Sequence, residues 1–241
     1  MKKEKNINYI QKIYGVHASV ACLNNPSREI IEVLCTDKVF TKHSDLISKF
    51  KYKILPIKVI HKNFNDILHQ GFIVKAFSLY LDLKLCNLAK MKKIAILDKI
   101  KDPNNVGAII RSAAVFDFDA IIITKHDSPI RSDSVFHVAC GAAEYLNLII
   151  VSNISNTIEK LEKIGFFVFG MDASSDYEIY DYKMHCEEKI AVVLGSEQGM
   201  SKLVMRRCHK LYKISIKTLN DLDSLNVSNA AAVVFSHLYK K

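Results

Sequence analysis

From residue 94 onward the chain alternates short, continuously apolar runs with amphipathic stretches. The runs lie at 94–97, 120–124, 148–151, 166–169, 190–194 and 211–216. A strand that is apolar without alternation is buried on both faces. Between the runs, apolar residues recur at helical spacing over about 106–115, 135–144, 156–164 and 201–208, and a last such stretch, 227–239, closes the chain. This alternation predicts an α/β fold: a mostly parallel sheet with helices on both faces. Such sheets bind ligands beyond the carboxyl ends of their strands, so chemistry is expected in the loops after residues 97, 169, 194 and 216.

The first part of the chain has shorter periods. It reads as helix 16–23, strand 29–35, helix 42–51, strand 58–61, helix 63–68 and strand 72–77. Together these predict a small α/β domain over residues 1–77. Residues 78–93 lack a clear period and end in Lys90-Met91-Lys92-Lys93, which reads as a linker with room for a short helix. Residues 94–241 then form the second domain, and a length of 241 residues suits one or two domains.

Composition narrows the class. With 49% hydrophobic and 24% charged residues, 8 Gly and 4 Pro, the chain is neither disordered nor collagen-like. No apolar stretch reaches the ~18 residues of a membrane helix, and the Lys-rich start leads into no secretion core, so a soluble, cytoplasmic protein is expected. Cys22, Cys35, Cys86, Cys140, Cys186 and Cys208 are scattered without a Cys-x-x-Cys pair, which predicts reduced, mostly buried thiols and no metal. The fingerprints of zinc proteases, dinucleotide dehydrogenases, P-loop NTPases and α/β-hydrolases are missing from the sequence.

Charge separates the two parts. Residues 1–93 hold 17 Lys and Arg against 7 Asp and Glu, a net +10, whereas residues 94–241 hold 17 against 18, a net −1. A basic part beside a near-neutral one suits a polyanion, because each cation that neutralises a phosphate releases a counterion. A solvated surface that aids solubility is the plainer explanation. Arg28 is the one arginine of the basic part, so the charge favours phosphate attraction over bidentate reading of bases.

Three loops carry candidate chemistry. The first holds Asp102-Pro103-Asn104-Asn105, a turn and helix start in which Asn105 reads as an N-cap or as a site residue. Arg111 interrupts the following apolar helix one turn after Gly107, and it needs either an anionic ligand or an internal carboxylate. The second is Gly195-Ser196-Glu197-Gln198-Gly199-Met200, whose glycines allow close backbone approach and whose Glu197 sets a carboxylate at a strand end or starts a helix. The third, Ser224-Leu225-Asn226-Val227-Ser228-Asn229, holds more capping residues than one helix uses.

These segments, in this order and at these strand ends, resemble the three signature motifs of the SpoU-type branch of the SPOUT RNA methyltransferases. Ile13-Tyr14-Gly15-Val16-His17-Ala18, His69-Gln70-Gly71 and Ala139-Cys140-Gly141-Ala142-Ala143-Glu144 extend the likeness to the subgroup that methylates guanosine 2′-oxygens of bacterial 23S rRNA. The resemblance implies an L30e-like RNA-binding domain ahead of the catalytic one, a C-terminal trefoil knot, a homodimer with its site near the subunit interface, and S-adenosylmethionine as cofactor. By motif matching, Gly195, Ile214 and Leu225 fall on cofactor-binding positions. Asn105, Arg111, Glu197, Ser224 and Asn226 fall on catalytic or RNA-contacting ones. The implied reaction is displacement of the sulfonium methyl by a ribose 2′-oxygen, without a metal.

Two departures bear on the cofactor loops. The second motif is one residue shorter than the family's Gly-x-Glu-Gly-x-Gly, and Ile214-Ser215-Ile216-Lys217-Thr218 replaces its Ile-Pro-Met-x-Gly, with a connection to Ser224 about two residues longer. Two rivals follow: a tRNA ribose 2′-O-methyltransferase, and a non-catalytic RNA-binding protein of ribosome assembly. A Rossmann oxidoreductase ranks behind both because the glycine fingerprint is missing.

Overall fold

The unalternating apolar runs become strands whose successive side chains enter two different cores. A computed structural model describes residues 9–64, 68–183, 188–217 and 224–239. The first strands are β1 (Ile10–Tyr14), β2 (Ile30–Cys35), β3 (Tyr52–Ile54) and β4 (Phe72–Phe77), with helices α1 (Val16–Asn24), α2 (Asp37–Ile47) and α3 (Ile57–Asn63) between them. The rest comprises β5 (Leu81–Asp82), β6 (Lys93–Asp98), β7 (Ala120–Thr124), β8 (Asn147–Val151), β9 (Phe166–Met171), β10 (Lys189–Gly195) and β11 (Lys210–Tyr212). Its helices are α4 (Pro103–Val115), α5 (Asp133–Val138), α6 (Ile154–Lys163), α7 (Lys202–Arg207) and α8 (Val227–Leu238).

Seven strands form one sheet in the order β11-β9-β10-β6-β7-β8-β5, and every pair in it is parallel. On β6, Ala95 and Leu97 enter the core shared with α4, α5 and α8, while Ile94 and Ile96 enter the one under α6 and α7. Burial on both faces is why these runs show no polar alternation. The smaller sheet has the order β1-β4-β2-β3, with β2 and β3 parallel and the other pairs antiparallel.

Several local expectations are corrected. The segment 58–61, expected as a strand, is helical, within α3, because Pro56 ends the extended segment and fits the position just before a helix. The predicted helix 42–51 starts earlier, after the extended Thr36, and ends at Ile47. The helix expected at 63–68 is not formed at its start: α3 stops at Asn63 and Phe64 is non-helical, while residues 65–67 lie outside those described. The stretch 135–144 is split where Cys140 (φ 51°) and Gly141 (φ 88°) turn left-handed, and a 3₁₀ turn follows over Ala142–Tyr145. The run 211–216 keeps strand pairing only at its start, and β1 carried too weak an alternation to be read. Of the thiols, Cys22 and Cys35 are buried, Cys86 and Cys208 half-buried and Cys140 exposed, while Cys186 lies outside the described residues.

Residues 78–93 are built into the fold rather than slung between domains. Leu81 and Asp82 pair with Ile149 and Ile150 as the seventh strand, and two 3₁₀ turns follow. Polar and ring contacts then lock the sheets together. The Lys12 backbone N–H donates to Asp133 Oδ1 (3.0 Å), and the His137 ring stacks on Tyr14 at 4.6 Å. Deeper, Arg28 Nη2 donates to Gln11 Oε1 (2.7 Å) and Arg28 Nε lies 3.6 Å from Glu144 Oε1, with the two charged side chains only 1% and 3% exposed. Asn25 Nδ2 donates to Glu144 Oε2 at 2.8 Å. Burial raises the Glu144 carboxyl above its ordinary range, against the opposing pull of Arg28. The single arginine of the basic part is thus sequestered between the sheets, and lysines carry the exposed charge.

Candidate active site

Strand β10 ends at Gly195, where the chain doubles back. The Gly199 N–H donates to the Ser196 carbonyl at 2.8 Å, closing a tight turn. A Cβ on Gly195 would lie 2.5 Å from Gly199 C and from Met200 N, both backbone atoms, so only glycine fits there. The Ser201 N–H then donates to Oδ2 of Asp98 (2.7 Å), a buried carboxylate at the end of β6. The turn is thereby tied to the neighbouring strand, and Glu197 stands exposed at its tip. Glu197 does not start a helix, since α7 begins after Ser201.

The loop after β6 leads into α4, capped by Asp102, whose Oδ1 accepts from the Asn104 N–H (3.0 Å), with Pro103 in the first helical position. Asn105 is therefore not the N-cap. It lies in the first turn, 9% exposed, and its Oδ1 accepts from Asn226 Nδ2 at 3.0 Å. Asn226 in turn caps α8, its Oδ1 accepting from the Ser228 N–H (2.9 Å) and hydroxyl (2.6 Å). One amide-to-amide bond joins the first and third loops.

A cavity of about 370 Å³ opens at the carboxyl ends of β9 and β10. Gly195, Ile214 and Leu225 all line it, together with Glu197 and Ser224. A second cavity, about 260 Å³, lies between residues 99–102 with Asn105 and the turn 196–198. Ser196, Glu197 and Val227 line both. Arg111 lines neither. It is exposed on α4, one turn before the 66% exposed Val115, with its Nη1 3.7 Å from the Cys140 sulfur. Among the described residues no carboxylate pairs with it.

Two acids escaped the sequence reading. Asp98 is the polar residue that ends a buried strand, and Asp172 follows β9 and lines the larger cavity. The strand-end rule that singled out the loops after 97 and 169 holds the signal for both.

The arrangement has known counterparts. The model of the SpoU rRNA Methylase family matches residues 92–236. The chain belongs to that family. A 23S rRNA (guanosine-2′-O-)-methyltransferase RlmB of Escherichia coli is 32% identical over 235 residues, covering 92% of this chain and 95% of the relative. The corresponding Pseudomonas putida protein is 29% identical over 239 residues, covering 94% and 95%. Among solved structures, the SpoU methyltransferase AviRb of Streptomyces viridochromogenes, in complex with AdoMet, superposes with a TM-score of 0.77 at 17% identity, covering 95% of this chain and 88% of that one.

As a SpoU family member the chain is an RNA methyltransferase that uses S-adenosylmethionine. The larger cavity fits that cofactor. Leu194, Ile214, Leu225 and Ala230 give it an apolar wall for an adenine ring, and Asp172 and Glu197 bring carboxylates to a ligand that carries positive charge.

Proposed function

We propose that the chain methylates the ribose 2′-hydroxyl of a guanosine in 23S rRNA, as a cytoplasmic homodimer. The observation that carries this reading is Glu197, the carboxylate common to two adjoining cavities. The larger cavity takes S-adenosylmethionine, through Gly195, Ile214 and Leu225, and the smaller one takes the ribose. Residues 1–77 act as the basic RNA-binding domain, and residues 94–241 as the catalytic one. The RlmB proteins that the chain resembles along nearly their whole length are named for this guanosine reaction, which supports the choice of substrate.

S-adenosylmethionine brings a methyl group on cationic sulfur that is already activated, so the protein's work is alignment and handling of the hydroxyl proton. Glu197 accepts or relays that proton. Ser224 reaches the reacting groups from the wall of the larger cavity, while the Asn105–Asn226 bond holds the first and third loops together. Arg111 stabilises phosphate and the developing alkoxide as a cation, since a neutral guanidine is costly at a pKa above ~12. Because Arg111 is exposed and outside both cavities, a second copy of the chain supplies it, with Arg111 and Val115 at the dimer contact.

The test is methyl transfer from labelled S-adenosylmethionine to unmodified 23S rRNA and to unmodified tRNA, with the modified nucleotide mapped. Label on a guanosine 2′-oxygen of the rRNA is expected. Label on tRNA alone overturns the substrate, and loss of both transfer and cofactor binding leaves a non-catalytic RNA-binding protein. Arg111→Ala is expected to keep cofactor affinity within a few-fold while removing most turnover. Mixing inactive Arg111→Ala with inactive Glu197→Ala protein should restore about a quarter of wild-type activity, because half of randomly exchanged dimers then hold one intact composite site. No restoration would place both residues in the same subunit's site.

A further inference from the structure

The edge of the smaller sheet opposite the catalytic half carries an unusual surface. β1 is the edge that meets α5, so β3 lies at the other end of the sheet, with α2 beside it and α3 leading from it over the face that carries Leu34 and Ile73. From 51 to 63, every residue except Leu55 and Ile60 is exposed. Four of these are large and apolar: Tyr52 (40% exposed), Ile54 (42%), Ile57 (44%) and Val59 (39%). The surrounding segment, residues 37–63, holds seven Lys against two Asp. Lys53 is committed to Glu32 at 2.9 Å, but Lys49, Lys51, Lys58 and Lys62 are exposed and carry no ion pair among the described residues. One face of the Tyr52 ring stacks on Phe40, with centroids 5.0 Å apart, which fixes its orientation while the residue stays 40% exposed.

An apolar edge strand ringed by positive charge repels a second copy of itself and attracts a polyanion. A fixed aromatic face among lysines offers what a single-stranded nucleic acid needs: a platform for a base and cations for the phosphates on either side. Lysine without arginine gives phosphate attraction without a bidentate code for particular bases. We propose that the β3 edge is a docking face for single-stranded RNA, with a base stacked on Tyr52 and flanking phosphates held by Lys49, Lys51, Lys58 and Lys62. This rests on RNA being the substrate class proposed above, and it locates a second contact at the end of the molecule remote from the cofactor cavity.

The test uses the full chain and a fluorescein-labelled 12-nucleotide oligouridylate, with an RNA hairpin of equal phosphate content as the duplex probe. Replacing all four lysines by Gln should lower the slope of log Kd against log salt by about 3, the value for about four phosphates on a single strand. Tyr52→Ala should weaken the single strand by about 5- to 150-fold and leave the hairpin nearly unchanged, while Tyr52→Phe, which keeps the platform, should bind like wild type. S-adenosylmethionine affinity, measured calorimetrically, should be the same in all four proteins and also reports that they fold. An unchanged salt slope, or a Tyr52→Ala loss that is equal for strand and hairpin, overturns the proposal. So does binding to phosphatidylserine vesicles without oligonucleotide binding, or a change of mass in light scattering that shows the edge to be a contact between copies. If wild type methylates no RNA yet the lysine variant still loses the oligonucleotide, the enzymatic reading fails and this face stands. If methyl transfer proceeds with unaltered KM in every variant, the reverse holds.

Discussion

Asn226 does two jobs with one side chain: its Oδ1 caps α8 through Ser228, and its Nδ2 reaches Asn105 across the site. The jobs can be separated. Serine is as good a cap as asparagine but too short to reach Asn105, so Asn226→Ser should keep the melting temperature near wild type while methyl transfer falls about tenfold, the worth of one aligned hydrogen bond. Asn226→Ala should also lose about 1 kcal/mol of stability, a drop of roughly 2–4 °C in a calorimetric scan. Equal melting points for the two variants would show that the cap contributes nothing. In the sequence, the surplus of Ser and Asn before α8 marked this position as more than a cap. The partner was not legible, because Asn105 and Asn226 are far apart in the chain and only the packing of α4 against α8 brings them together.

At the scale of elements, legibility followed the depth of burial. The strands β6, β7 and β10 are apolar on both faces because two cores need them, and their runs were read nearly to the residue. Around α3 the signal failed, since Lys58-Val59-Ile60-His61 suits a strand or a helix turn equally and Pro56 decides between them. The 195–200 turn was recognised by its glycines, but their division of labour comes from the backbone. Gly195→Ala would drive a methyl group into Gly199 and Met200, so S-adenosylmethionine affinity by titration calorimetry should fall at least tenfold. Gly199→Ala meets open space and bears only the cost of its φ of 81°, about 1–2 kcal/mol. Its cofactor affinity should stay within a few-fold. The reverse ranking would mean that the turn opens freely and does not shape the cavity.

For the whole molecule, the decisive contact is the buried pair of Arg28 and Glu144 between the two sheets. No local pattern announces the pairing, because its members are separated by the rest of the basic part and the first third of residues 94–241. Glu144 titrates above the ordinary carboxyl value of 4.5 in the folded chain, so the folded form holds its proton at pH values where the unfolded chain has released it. Stability from this group therefore falls as pH rises through that interval. Arg28→Met removes the cation that restrains the shift, widening the interval upward. Urea unfolding should show a loss of about 3–5 kcal/mol at pH 7.5, where a lone carboxylate stays buried, and a smaller loss at pH 5, where it can take up a proton. A loss independent of pH would mean that Glu144 reaches water once Arg28 is gone.

The same contact makes the two sheets one body, which turns the chain into a caliper. With one jaw at the β3 edge and the other at the cavity beside Glu197, the span between them is set by packed side chains rather than by a slack tether. A nucleotide would then be chosen by how far it stands from an accessible strand of the folded RNA, so that distance carries selectivity that lysines alone cannot supply.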